Sequence, residues 1–439
     1  MSLAASARRL AGTVQKEGSS VSPRTLGRRH RPDYQIVLLM GLLLLIGLVV
    51  LFAISPYQVE RINLEGGELD QAHFMQRQLL YLAAGLSAFT FAAFVPLKLW
   101  TQNAGRALLI GLGACVLLSF LGIFIKDGIV YESGGAVRWF NLGVASFQPA
   151  ELLKFGVMLF TAAFLGRRIS QGKVNSVHDT LVPIFIVVAA ASFLVIVLQK
   201  DMGTGITMLG IVATMLFLAG LNKKLILTTV ALLVGAGLLL IVTSPHRIAR
   251  VATFFNPHDT SDAANYHINQ AAIAIGNGGF TGQGLGNSIS AFGYIPEALN
   301  DSIFAVLGET FGLVGLMVIM AIFAALIFRL LRVFERMPDP TLRMLVAGVT
   351  GLIMTHAVVN IGAMTGIFPL TGVTLPFLSF GGTSLLFTML ALGVAFHISR
   401  YTSSQAITEQ KGAPTDESGL RGRGIGRTRH AGSRRYQRA

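Results

Sequence analysis

The amino-acid sequence predicts an all-α, polytopic membrane protein with about ten transmembrane helices and a long extracytoplasmic loop between helices 7 and 8. Three observations carry that reading. The 439 residues are 53% hydrophobic and only 13% charged, against about a quarter charged in an ordinary soluble domain. Apolar runs of about 20 residues, the length that crosses a hydrocarbon core, recur along the chain. Basic residues fall in alternate loops, which is the positive-inside pattern.

The runs cover residues 34–54, 79–95, 107–125, 143–165, 181–198, 204–220, 225–242, 303–328, 345–361 and 375–398. The first follows a basic stretch and is a full span long, so it reads as an anchor rather than a cleaved signal. Cys115 is the only cysteine and lies inside the third run. An intrachain disulfide and a multi-cysteine metal site are thereby excluded.

Three regions follow: a basic tail over 1–33, a membrane domain over 34–400 with its long loop at about 243–302, and a basic tail over 401–439. The net charge is +14. Residues 1–32 carry seven Lys/Arg and one Glu, and residues 401–439 carry eight Lys/Arg and three acids. Most of the charge therefore sits in two tails without apolar periodicity. Basic tails beside membrane spans bind anionic headgroups and mark the cytoplasmic side, and that reading is preferred to nucleic-acid binding.

With both tails inside, an even number of spans is required. The loops agree. Lys98 and Arg106, then Arg167, Arg168 and Lys173, then Lys223 and Lys224, then Arg329, Arg332, Arg336 and Arg343 fall on the predicted inside. The first outside loop carries Glu60, Glu65, Glu68 and Asp70 against Arg61 and Arg77. The outside also holds a polar loop at 126–149, with Lys126, Asp127, Glu132, Arg138 and Gln148, and the loop at 243–302. A loop of that length is usually functional. Its periodic apolar residues, Ile248, Val251, Phe254 and Phe255, then Ile268, Ala271 and Ile275, predict amphipathic helices at the interface. The chemistry is expected at the outer edge of the membrane.

Asp301 opens the eighth run. A helix cap is the simplest role for it. A carboxylate at the water–lipid boundary is the alternative, because partial desolvation raises its pKa towards that of a general base. Glu151 and Lys154 stand at i, i+3 on one helix face, a turn after Gln148. They make either a structural ion pair or a functional site, since burying ionisable residues in a span is expensive. Lys200 and Asp201 lie in a tight turn, ordinary for Asp beside Gly. Glu309 and His356 are expected to pack against polar groups of neighbouring helices. Gly276-Asn277-Gly278-Gly279 and Gly282-Gln283-Gly284-Leu285-Gly286 have no preceding strand and no following Lys-Ser/Thr, so they are poor phosphate loops. Gly381-Gly382 would loosen a helix or admit a ligand's lipid chain to the backbone.

Taken in order, several segments resemble the FtsW/RodA/SpoVE (SEDS) family. They include Gly135-Ala136-Val137-Arg138-Trp139, Phe147-Gln148-Pro149-Ala150-Glu151-Leu152-Leu153-Lys154 and Asp201-Met202-Gly203-Thr204. Further along come His246-Arg247-Ile248-Ala249-Arg250-Val251, Phe255-Asn256-Pro257, Tyr266-His267-Ile268-Asn269-Gln270, Gly282-Gln283-Gly284-Leu285-Gly286-Asn287-Ser288 and Ile295-Pro296-Glu297-Ala298. The set closes with Gly308-Glu309-Thr310-Phe311-Gly312, Asn360-Ile361-Gly362 and Leu375-Pro376-Phe377-Leu378-Ser379-Phe380-Gly381-Gly382-Thr383-Ser384. Any one block is weak, but the ordered set spans about residues 34–400.

The resemblance implies a ten-helix peptidoglycan glycosyltransferase that polymerises lipid II on the outer face of the bacterial cytoplasmic membrane. It implies a class B penicillin-binding protein transpeptidase as partner, with other division proteins, and undecaprenyl-linked glycan as product. Details around Arg247–Pro257 and Gly284–Ser288 look more like the division member FtsW than the elongation member RodA. Asp301 occupies the family's catalytic aspartate position. Arg138, Gln148, Glu151, Lys154, Asp201, Arg247, Gln270, Glu297, Ser379, Gly381 and Gly382 are the candidate substrate-binding residues. No cofactor is certain; a divalent cation, Mg2+ or Mn2+, is a candidate. The chain departs from the family where Lys200 replaces Pro in Gln-Pro-Asp, where Asn300-Asp301-Ser302 replaces Thr-Asp-Phe, and where Phe380 replaces Tyr. A lipid II flippase and a non-catalytic scaffold for a transpeptidase are the rival readings. Against the flippase, hydropathy shows no evident pair of broken helices.

Overall fold

The computed structural model describes residues 30–124, 130–133, 136–141, 143, 146–242, 263–288 and 294–401. Asp33 starts the first helix, α1 (Tyr34–Leu64), where its Oδ1 accepts from the Gln35 N–H at 3.1 Å. That bond satisfies one of the donors that a helix start leaves open. Along α1, Ile36, Met40, Leu43, Val50, Leu51 and Ile54 are buried while Leu38, Leu42, Leu45 and Phe52 are exposed. A helix apolar on both faces needs lipid around the exposed one.

The chain continues through α2 (His73–Phe94), the short α3 (Leu97–Gln102) and α4 (Ala104–Phe124). After a small sheet come α5 (Pro149–Ser170) and one continuous helix, Val177–Leu198, in which α6 (Val182–Phe193) is flanked by π-helical turns. Then follow α7 (Met202–Leu218), α8 (Lys223–Val242), α9 (Ala263–Gly278), α10 (Ile303–Arg336), α11 (Pro340–Met364) and α12 (Gly382–Ile398), which ends in a 3-10 turn, Ser399–Tyr401. Every apolar run expected from the sequence overlaps one of these helices. Among the described residues seven helices are long and apolar enough to cross a membrane: α1, α4, α5, Val177–Leu198, α10, α11 and α12 with its last turn. α5 and α11 form the centre, and most of each is buried.

Four departures from expectation shape the site. The polar loop at 126–149 contains a three-stranded antiparallel sheet, β1 (Val130–Ser133), β2 (Ala136–Asn141) and β3 (Ser146–Phe147), with β2 central. Val130 pairs with Phe140, and Phe140 with Phe147. α5 begins at Pro149 rather than at 143, because proline suits the first helical turn, where its missing N–H is not needed.

α12 begins at Gly382 rather than at 375. Residues 375–379 instead close a turn in which the Leu375 N–H donates to Ser379 Oγ at 2.7 Å and Phe377 takes φ +66°. Lastly, α10 is broken at Gly312 (φ +66°, ψ −169°). The backbone groups freed there are taken up by the glycine-rich segment after α9. Gln283 and Gly284 N–H donate to Glu309 and Thr310 carbonyls (2.9 and 3.0 Å), and Leu313 and Val314 N–H donate to Gly279 and Phe280 carbonyls (2.9 and 3.1 Å). Non-helical backbone at such a depth is tolerated only when it is satisfied in this way. A Cβ on Gly312 would stand 2.4 Å from Gly282 N, so glycine is required by the close approach as well as by φ. Gly278 and Gly282 likewise allow close approach, to the Gly308 and Thr310 carbonyls.

The expectation of an amphipathic helix in the long loop is met over α9, where Ala271 and Ala274 are fully buried and Tyr266 and Ile273 exposed. Its first part, around Ile248–Phe255, lies outside the described residues.

Candidate active site

Asp301 precedes α10 by two residues. The N-cap position belongs to Ser302, whose side chain makes no capping bond. The residue is half-buried. Its carbonyl accepts from Asn360 Nδ2 on α11 at 2.7 Å, and the same nitrogen donates to the Val373 carbonyl at 2.7 Å. A Cβ on Gly372 would lie 3.8 Å from Asp301 Oδ2. The carboxylate therefore sits against the segment 371–374, which joins α11 to α12.

That segment also receives the buried charges. Lys154 Nζ donates to Glu151 Oε1 at 2.7 Å and to His356 Nε2 at 2.8 Å. Lys154 is 1% exposed and Glu151 4%. Because an ammonium only donates, Nε2 must accept, and Nδ1–H then donates to the Thr374 carbonyl at 3.2 Å. The i, i+3 pair expected on α5 is thus an ion pair within that helix, extended by a histidine from α11. Thr374 Oγ1 meets Ser384 Oγ at 3.0 Å and ties the segment to α12.

The turn before α7 closes the third side. Asp201 caps α7: Oδ1 accepts from Thr204 N–H at 2.9 Å, and Oδ2 accepts from Thr204 Oγ1 and Gln148 Nε2, both at 2.8 Å. Arg138 on β2 donates from Nε to the Gln199 carbonyl (3.1 Å) and from Nη2 to the Lys200 carbonyl (2.8 Å). Lys200 itself adopts φ +52°. A Cβ on Gly203 would stand 2.4 Å from the Thr371 carbonyl, so this turn packs directly on the 371–374 segment. Gln148 N–H donates to Thr383 Oγ1 (3.2 Å), which donates to the Ser146 carbonyl (3.0 Å).

Of the other expected residues, Ser379 and Gly382 make local structural contacts. Ser379 shapes its own turn, and Gly382 makes room for Tyr81, whose ring a Cβ would meet at 2.6 Å. Gly381 is the N-cap of α12, in extended backbone, and with Thr374, Pro376, Phe377 and Ser384 lines a cavity of about 10 Å³, room for about one water molecule. Glu297 is exposed, holds φ +52° and accepts from Asn300 Nδ2 at 2.5 Å. Gln270 is half-buried on α9. Arg247 lies outside the described residues. Glu309 meets its expected polar neighbour in Ser288, whose hydroxyl donates to the carboxylate.

His356 meets the polar neighbour expected of it in Lys154 of α5, whereas the sequence does not single out Thr374 or Thr204. Asn360 entered only within a motif. A polar residue on an otherwise apolar helix was the one available signal for His356 and Asn360. Among the described residues, no group of three or more His, Cys, Asp or Glu side chains could hold a metal ion.

Fold and site together define a polytopic membrane protein that gathers a half-buried carboxylate and a buried charge network at one end of an apolar helix bundle. The profile of the FtsW/RodA/SpoVE family, described as cell cycle protein, matches residues 34–404, and this chain belongs to that family. It is 33% identical over 387 residues to stage V sporulation protein E of Bacillus subtilis, covering 85% of this chain and 99% of that one. It is 35% identical over 370 residues to the probable peptidoglycan glycosyltransferase FtsW of Thiomicrospira cyclica, covering 83% and 91%. A chain from a structure described as structural coordination of polymerization and crosslinking by a peptidoglycan synthase complex superposes with a TM-score of 0.65. It is 26% identical, with 85% of this chain and 99% of that chain covered. The rod shape determining protein RodA of Thermus thermophilus gives 0.60 at 25% identity, covering 84% and 97%.

Proposed function

We propose that this protein is a peptidoglycan glycosyltransferase that polymerises lipid II at the outer face of the bacterial cytoplasmic membrane, with Asp301 as the general base. The observation that carries the reading is the convergence of Asp301, the Asp201 turn and the Lys154–His356 pair on the segment 371–374. The relatives named probable peptidoglycan glycosyltransferase FtsW support the reaction class.

In this reaction the C4 hydroxyl of the acceptor GlcNAc attacks the anomeric carbon of the donor MurNAc. The new glycosidic C–O bond forms as the bond to undecaprenyl pyrophosphate breaks, with inversion. Asp301 takes the hydroxyl proton. The leaving group departs as an anion and needs no protein acid, only nearby positive charge. Arg138, Lys154 and Arg247 are the candidate cations. Arg138 commits two of its five donors to the Gln199 and Lys200 carbonyls and keeps capacity for a phosphate. Lys154 is enclosed by Glu151 and His356, so its part is to hold the His356–Thr374 arm and supply field. An Mg2+ or Mn2+ ion at this site would take most of its ligands from pyrophosphate oxygens and water, as magnesium commonly does.

The orientation follows from charge: the basic loops face the cytoplasm with both termini, and the site end faces outwards. Division is the proposed setting, with a class B penicillin-binding protein as partner; the match to a chain of a peptidoglycan synthase complex supports a transpeptidase partner.

The break in α10 gives the flippase reading an observation that hydropathy did not, since transporters bind substrate at interrupted helices. At Gly312, however, the freed groups pair with the 279–284 backbone and offer nothing to a substrate. The deciding experiment measures glycan strands from labelled lipid II with purified protein, alone and with a cognate transpeptidase. Polymer from wild type and none from folded Asp301→Asn is expected. Equal polymer from both removes Asp301 as the base, and no polymer with intact translocation in vesicles establishes the flippase.

A further inference from the structure

The carboxylate proposed as the base is mounted on an unusually isolated piece of helix. The break at Gly312 separates Ile303–Phe311 from the rest of α10, so the long lower part of that helix does not fix the direction of its first turns. Packing against α9 and α11 takes over that task, and two attachments hold it to α9. One is the backbone pairing of residues 279–284 with the broken end. The other is at the opposite end of the segment, beside Asp301: His267 Nε2 on α9 meets Ser302 Oγ at 2.5 Å.

Ser302 is fully buried, and its hydroxyl also donates to the Pro296 carbonyl at 2.8 Å. A hydroxyl has one proton and two acceptor lone pairs. With the proton on Pro296, His267 must be the donor through Nε2–H. The backbone it steadies is a tight one: Asn300 and Ser302 N–H both turn back to the Glu297 carbonyl (2.9 and 3.3 Å), and Glu297 holds φ +52°. A non-glycine residue in that region persists only where its surroundings over-determine it.

Resting on the polymerase reading of Asp301, we propose that His267 is a positioning residue for the base: it anchors Ser302 to α9 and so fixes the carboxylate that Asn360 fixes from α11. The arrangement belongs to this chain's own Asn300-Asp301-Ser302, since a phenylalanine at 302 has no acceptor to offer.

The test is lipid II polymerisation by full-length wild type, His267→Ala, His267→Gln and Asp301→Asn, each with the transpeptidase, alongside hydrogen exchange over residues 294–304. His267→Ala should lose about 10- to 100-fold in kcat, the scale of a misplacement near 1 Å, with KM for lipid II within about twofold. His267→Gln keeps a donor and should recover most of the loss. Exchange at Ser302 and Ile303 should quicken in His267→Ala alone. Wild-type kcat in His267→Ala, a glutamine variant no better than alanine, or unchanged exchange would each overturn the proposal. Asp301→Asn separates the two readings: an active Asp301→Asn removes the base and the positioning role together. An inactive Asp301→Asn beside a fully active His267→Ala removes only the latter.

Discussion

Asn360 and Asp301 are joined by a 2.7 Å hydrogen bond from the Asn360 side chain to the Asp301 main-chain carbonyl, and the same amide nitrogen holds Val373. One buried amide therefore fixes the start of α10 against the segment that connects α11 with α12. It leaves the Asp301 carboxylate out of the bond, which is what a group that must exchange a proton requires.

Asn360→Ala should thus lower turnover by displacing the base, with little change in apparent lipid II affinity. It also strands two carbonyls, each costing about 1–3 kcal/mol when buried without a partner, so thermal stability in detergent should fall as well. Asn360→Asp removes the donor while keeping the size and should behave like alanine. Turnover equal to wild type in both variants, with the proteins folded, would show that the bond has no part in placing Asp301.

Much of this arrangement was legible in the sequence, and the reasons for the rest are local. Apolar runs give the helices, because lipid imposes one length and one polarity on every span. Gln148, at the end of the polar loop 126–149, and Asp201, in a tight turn, are both candidates from the sequence, and they meet. The sheet escaped because its strands are four, six and two residues long, too short for alternation to stand out in a polar loop. His356 was expected to meet a polar group of a neighbouring helix, and it does; that the partner is Lys154, 202 positions away, is something no periodicity reports. That Ser379 closes a turn and Gly382 clears a tyrosine ring depends on contacts that no local pattern reports.

The Glu151–Lys154–His356 cluster yields a second prediction. Removing one member of a buried ion pair leaves an uncompensated charge and typically costs about 3–5 kcal/mol, whereas replacing both with apolar or neutral groups of similar size is often close to neutral. Lys154→Met should accordingly destabilise the protein more than the double variant Glu151→Gln/Lys154→Met. Thermal unfolding of the two singles and the double gives the coupling directly. A double variant as unstable as the sum of the singles would mean that the pair is not coupled. If the cluster also holds the 371–374 segment through Thr374, the double variant should fold yet remain slow in polymerisation.

The last prediction separates backbone from charge at Lys200, where the family pattern has proline. Lys200 holds φ +52° and its carbonyl accepts from Arg138 Nη2 at 2.8 Å, while the next residue caps α7. Proline is locked near φ −65°, so it cannot occupy this turn as it stands here. Lys200→Pro and Lys200→Gly both delete the exposed ammonium, and only the first forbids the conformation. Glycine is free of the roughly 1–2 kcal/mol that an L-residue pays in the left-handed region, partly offset by about 0.5–1 kcal/mol of chain entropy. Lys200→Gly should therefore match or slightly exceed wild-type stability and keep its polymerisation rate. Lys200→Pro should lower both, because moving the turn takes the Gln199 and Lys200 carbonyls from Arg138 and drags Asp201 from Gln148. Equal losses in the two variants would assign the effect to the charge; no loss in Lys200→Pro would show that the turn can be rebuilt without it.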